Sequence, residues 1–179
     1  MFKVKFIESN KIGTFVVEMA SLDLMPHAVN TFLNQVAFRL WDNTVFWHHD
    51  DVDHIISAAA VQYIRGDSKN HYFNALGVGS LSFPEYSPEY PHEQFTFGFA
   101  GLGPNFYINA VDNTKGHGPG GQGHHKGEDA DPCFGKIVDG FDTILEMYKL
   151  QLRQSSEAAK RHDWHDDELT QIVKVEILR

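Results

Sequence analysis

The stretch FTFGFAGLGPNFYINAVDNTKGHGPGGQGHHKGEDADPCFGKIVDG, Phe95 to Gly140, decides the fold. Phe95, Phe97 and Phe99 alternate with Thr96, Gly98 and Ala100, the period-2 pattern of a strand with one buried face. Phe106-Tyr107-Ile108 and Cys133-Phe134-Gly135-Lys136-Ile137-Val138 read as two more strands, flanking a long excursion rich in glycine and histidine. Phe141, Ile144, Leu145 and Tyr148 then follow at helical spacing. A helix is expected from Phe141 to Leu150, with Asp139 or Asp142 near its start.

The same reading extends outward. Phe2, Val4 and Phe6 alternate with Lys3 and Lys5, and turn residues around Gly13 lead into a returning strand from Thr14 to Met19. Pro26 suits a first helical turn, and Val29, Phe32, Leu33, Val36 and Leu40 carry an amphipathic helix from Pro26 to about Trp41. Strands are expected over Thr44 to His48 and Ile55 to Tyr63, separated by the acidic string His49-Asp50-Asp51-Val52-Asp53. Ser68 to Pro91 reads as ordered loop with one short strand, and Arg153 to Asp167 as a polar surface extension. Val173, Val175 and Ile177 close the chain as a strand. With about eight strands and two helices, and neither repeat nor linker, the expectation is one domain over 1–179: a mainly β, closed antiparallel barrel capped by two α-helices.

Composition removes several function classes. The 179 residues are 42% hydrophobic and 22% charged, ordinary for a globular chain long enough to close one core. Fourteen phenylalanines point to core filling rather than base stacking, and a net charge of -9 opposes a phosphate backbone, so no nucleic-acid partner is expected. The lone Cys133 excludes an internal disulfide or a cysteine-based zinc site and reads as a buried structural thiol. MFKVKFIESN lacks a signal peptide's apolar core, and no segment reaches the roughly 20 apolar residues of a membrane span. No membrane partner is expected, and the compartment stays open.

In order and spacing these motifs resemble the cyclophilins, the barrel-shaped peptidyl-prolyl cis-trans isomerases. The opening hairpin and MPHAVNTFLNQV resemble the family's first two strands and its AP-x-TV-x-NF helix. Arg65-Gly66-Asp67 resembles its RGD, and Phe83-Pro84-Glu85-Tyr86 its F-x-D-E-x-F segment. Phe97-Gly98-Phe99-Ala100-Gly101 falls where the family has LSMAN, Pro104-Asn105-Phe106-Tyr107-Ile108 where it has SQFFI, and Cys133-Phe134-Gly135-Lys136-Ile137 where it has VFGKV. The resemblance implies a cyclophilin-like barrel that binds proline-containing peptide or protein segments, as a monomer and without a cofactor.

Rotation about an X-Pro bond must break amide resonance, a barrier of ~18–20 kcal/mol in unstrained peptides. In the family an arginine in F-H-R donates to the prolyl nitrogen and localises its lone pair, while glutamine, asparagine and phenylalanine side chains shape the pocket. Phe46-Trp47-His48 occupies that register here, so the resemblance puts His48 at the catalytic arginine, with His49 as the neighbouring alternative. It puts Ala59 at the glutamine, Ile56 near the pocket phenylalanine, Asn105 at the second glutamine, Tyr107 at another pocket phenylalanine and Gly101 at the asparagine, with Ala100 retained. Asp131 falls at the family's histidine and Lys126 at its tryptophan; loss of the tryptophan and asparagine, at Lys126 and Gly101, implies weak binding of cyclosporin-type ligands.

A histidine is mostly neutral at pH 7, and loss of a charge-assisted transition-state donor costs about 10²–10³ in rate. The expected function is therefore peptide binding through His48, Ile56, Ala59, Ala100, Asn105 and Tyr107, with weak or absent isomerase activity. The alternatives are an active isomerase in which His48 or Arg65 substitutes for the arginine, and a histidine-dependent metal-binding module. Eight of the eleven histidines support the latter by clustering with acids: His48, His49 and His54; His117, His124 and His125; His162 and His165. No recognised metal motif is present, so no metal ligand is assigned; a site would require the first two clusters to meet.

Overall fold

The computed structural model describes residues 1–47, 54–63, 65–121, 130–158 and 170–178. Within them eight strands run in chain order: β1 (Phe2–Phe6), β2 (Ile12–Met19), β3 (Thr44–Trp47), β4 (Ile55–Gln62), β5 (Thr96–Phe99), β6 (Phe106–Asn109), β7 (Cys133–Asp139) and β8 (Thr170–Val175). They close into a barrel in the order β1-β2-β7-β5-β6-β4-β3-β8. Every pairing is antiparallel. The mainly β closed barrel expected from the sequence is therefore present, and its closure leaves no free sheet edge.

Among the described residues four helices accompany it: α1 (Pro26–Ala37), α2 (Asn70–Ala75), α3 (Thr114–His117) and α4 (Phe141–Ala158). α1 ends earlier than the apolar spacing suggested, because Arg39 takes a φ of 57° and turns the chain. α4 runs two turns further than expected. α2 and α3 were not foreseen, being too short to show a helical period.

Alternation along the strands separates two faces. Phe2, Phe97, Phe106, Ile108 and Phe134 turn inward with Ile56, Ala58 and Ala60, joined by Phe32 from α1. The rings pack edge and face: Phe2 stacks on Phe15 at 4.6 Å, and Phe32 meets Phe97 edge-on at 4.9 Å. Gln35 of α1 accepts from the Trp41 indole (2.9 Å) and donates to the Val78 carbonyl (2.7 Å), so the buried amide keeps its partners.

The α1 start has no capping side chain of its own. The Glu85 carboxylate takes over, accepting from the His27 and Ala28 N–H groups at 3.2 and 2.8 Å. This fixes the loop between α2 and β5 to the helix that plugs the barrel. Among the described residues no helix is long and apolar enough to cross a membrane.

Candidate functional site

Residues between the inward ones point out of the barrel. On β4 and β6 these are Ser57, Ala59, Tyr107 and Asn109, with Ser57 opposite Tyr107 across the ladder. Strand β5 contributes Gly98, opposite both Tyr107 and Cys133. Gly98 is required there: a Cβ would lie 2.4 Å from the Pro132 carbonyl oxygen. The bare strand lets the chain before β7 lie close, with Phe99 N–H donating to Pro132 at 3.0 Å. Asp131 is thereby delivered to Tyr107.

Ile56 belongs to the core, away from this outer face. Asn105 brings Ala100 and the Ala59–Ala60 segment together, and Tyr107 lies two residues further along the chain. Asn105 Oδ1 accepts from Ala60 N–H at 3.0 Å, and its carbonyl accepts from Ala100 N–H at 2.9 Å, tying β4 to the β5–β6 turn. Gly101 (φ 59°) sits in that turn, and its N–H donates to Asp131 Oδ1 at 3.0 Å. His48 and His49 lie outside the described residues, as do Asp50, Asp51, Asp53, His124, His125, Lys126, Glu128, Asp129, His162, Asp163, His165, Asp166 and Asp167. Arg65, the other substitute donor considered, is exposed in the turn after β4.

A buried polar network fills the face beside Tyr107. Its hydroxyl donates to Asp131 Oδ2 at 2.9 Å and lies 3.1 Å from His117 Nδ1 and 3.3 Å from His92 Nδ1. His117 Nδ1 is also 3.0 Å from Asp131 Oδ2, and His92 Nε2 is 3.0 Å from the Asp131 carbonyl oxygen. Partner chemistry assigns the protons. A carbonyl only accepts, so His92 carries its proton on Nε2; a carboxylate only accepts, so His117 carries one on Nδ1.

The electrostatics agree. Burial pushes the Asp131 carboxyl up, but hydrogen bonds from His117 and Tyr107 outweigh that and hold it below its ordinary value. Burial lowers His92 to about 4, leaving it neutral at pH 7. Burial, then the neighbouring Asp131 charge, raises the Tyr107 hydroxyl well above its usual value, so it stays a donor. Burial also raises Cys133 to about 11, which makes it the inert structural thiol expected.

Sequence reasoning missed His92, a lone histidine after Pro91 with no periodic signal. It also read Tyr107 only as a ring. A buried tyrosine on an outward strand position needs a hydroxyl partner, and that was the available clue.

No protein-family model matches the sequence, and no curated protein matches it either. Among solved structures, the chain is similar to the cyclophilin-type peptidyl-prolyl cis-trans isomerase of Cryptosporidium parvum, crystallised in the presence of the dipeptide Ala-Pro. The TM-score is 0.51 at 19% identity, over 83% of this chain and 85% of that one. The barrel is cyclophilin-like.

Proposed function

We propose that the outer face around β4 and β6 is a groove for an extended, proline-containing peptide or protein segment, and that it catalyses isomerisation weakly or not at all. One observation carries this reading: Asn105 ties the Ala59–Ala60 segment of β4 to Ala100, with Tyr107 two residues further along the chain on the outer face of a cyclophilin-like barrel. The solved neighbour, crystallised with Ala-Pro, supports a peptide as the occupant.

The chemistry of the same residues argues against strong catalysis. Ala59 offers no side-chain hydrogen bond to a substrate carbonyl, and the Tyr107 hydroxyl donates to Asp131 rather than outward. His48 remains the proposed donor in place of the arginine, a weaker one because imidazole is mostly neutral at pH 7. Ile56 contributes from beneath, as packing for the strand that bears Ala59.

Titration of isotope-labelled protein with a panel of X-Pro peptides tests the binding. Amide shifts should move at Ala59, Ala100, Asn105 and Tyr107 and saturate. Shifts confined to another face, or none at millimolar peptide, would remove the groove assignment.

A further inference from the structure

One described member of each of the first two histidine clusters meets the other. His54, just before β4, and His117, at the end of α3, place their Nε2 atoms 3.1 Å apart. We propose that these two nitrogens chelate a divalent first-row transition metal such as zinc, nickel or copper.

The spacing fits. With metal–nitrogen bonds of about 2.0–2.1 Å, a 3.1 Å separation corresponds to a nitrogen–metal–nitrogen angle of about 100°. That lies between the octahedral and tetrahedral values. The proton assignment fits too. His117 donates its Nδ1–H in a hydrogen bond to Asp131, so in the neutral ring its Nε2 lone pair faces His54. A metal-bound histidine is usually backed by a carboxylate in this way, which fixes the tautomer and raises the basicity of the donor nitrogen. Asp131 is thus a positioning residue, fixed by its hydrogen bonds from His117 and Tyr107.

The histidines are also fixed by backbone, which lowers the ordering cost of binding. The His54 carbonyl accepts from Ala110 N–H (2.9 Å) and Asn113 Nδ2 (3.0 Å). Asn113 in turn accepts at its carbonyl from His117 N–H (2.9 Å) and donates its own N–H to the His92 carbonyl (2.8 Å). One asparagine therefore anchors both ligands. His117 is buried and His54 half-buried, so the approach is from the His54 side. Among the described residues no group of three His, Cys, Asp or Glu side chains is arranged to hold a metal, so the described residues supply two of the donors. Imidazole donors select against magnesium and calcium, which prefer oxygen.

The test is titration of metal-free protein with cobalt(II), followed by its visible absorption, with zinc(II) as competitor. The expected result is one saturable equivalent, lost in His54→Ala and in His117→Ala and weakened about 10–100-fold in Asp131→Asn. Saturable binding that persists in both histidine variants, or none in the wild type, overturns the proposal. Nitrogen-15 spectra of wild-type imidazoles guard against a variant that fails to fold. Zinc should shift Nε2 of His54 and His117 while Nδ1 of His117 keeps its proton; unmoved resonances overturn it equally.

Discussion

Inside the barrel, Phe106 is ringed by Trp41, Phe97, Phe2, Phe32 and Phe46 at centroid distances of 4.6, 4.7, 5.6, 5.6 and 5.8 Å. One residue further along β6, on the outer face, Tyr107 is equally buried but is held by Asp131, His117 and His92. The first environment is non-directional and tolerates any ring that fills the volume. The second is directional, and each partner fixes the proton of the next. The barrel supplies rigidity from one face and chemistry from the other.

Substitutions and pH separate the two faces. Phe106→Ala should cost about 3–5 kcal/mol in denaturant unfolding, as a large cavity in an aromatic core. Equal losses for Phe106→Ala and Phe106→Leu would show that the core is not packed as described. Acid comes next. His92 has a folded value of about 4, below the ordinary 6.5, so the unfolded chain binds the proton first as pH falls. Stability is therefore complete above about pH 6.5 and lost progressively towards pH 4, by an amount on the order of 3 kcal/mol. Tyr107, Asp131 and His117 face this ring, and the depressed Asp131 extends the loss as pH falls below about 4, the ordinary range for an aspartate. His92→Gln should flatten the pH 6.5 to 4 segment; an unchanged slope would place the titrating group elsewhere.

The contrast also explains what the sequence revealed. Period-2 alternation in Phe95–Phe99 and in Phe2–Phe6, and the apolar spacing from Val29 to Val36, made the barrel and α1 readable because apolar burial leaves a periodic trace. Asp131 and His92 come from loops and His117 from the one-turn helix α3, and nothing periodic links them. Only the fold, through the bare backbone at Gly98 and the bracing by Asn113, brings them to Tyr107. The resemblance placed Ala59, Ala100, Asn105 and Tyr107 near one another, yet counting alone could not say that Ile56 faces inward.

Two smaller effects sharpen the boundary. Tyr107→Phe keeps the ring and removes the donor to Asp131, so it should cost about 1–3 kcal/mol in the same unfolding assay, with the barrel intact by circular dichroism. A neutral result would mean that water replaces the hydroxyl at no cost. Lys11→Ala removes an exposed ion pair with Glu146 at the barrel surface and should change stability by less than about 1 kcal/mol, vanishing in high salt. A larger loss would give the surface a weight this account denies it.

The most direct measurement is exchange NMR on X-Pro peptides with catalytic amounts of protein, at pH 6 and pH 7.5, beside His48→Ala. Saturable shift changes are expected with isomerisation at or barely above background, and any residual rate should rise as pH falls through about 6.5, when imidazolium can donate. Rapid exchange at pH 7.5 that His48→Ala abolishes would contradict this expectation, and would make the groove a working isomerase with histidine in place of arginine.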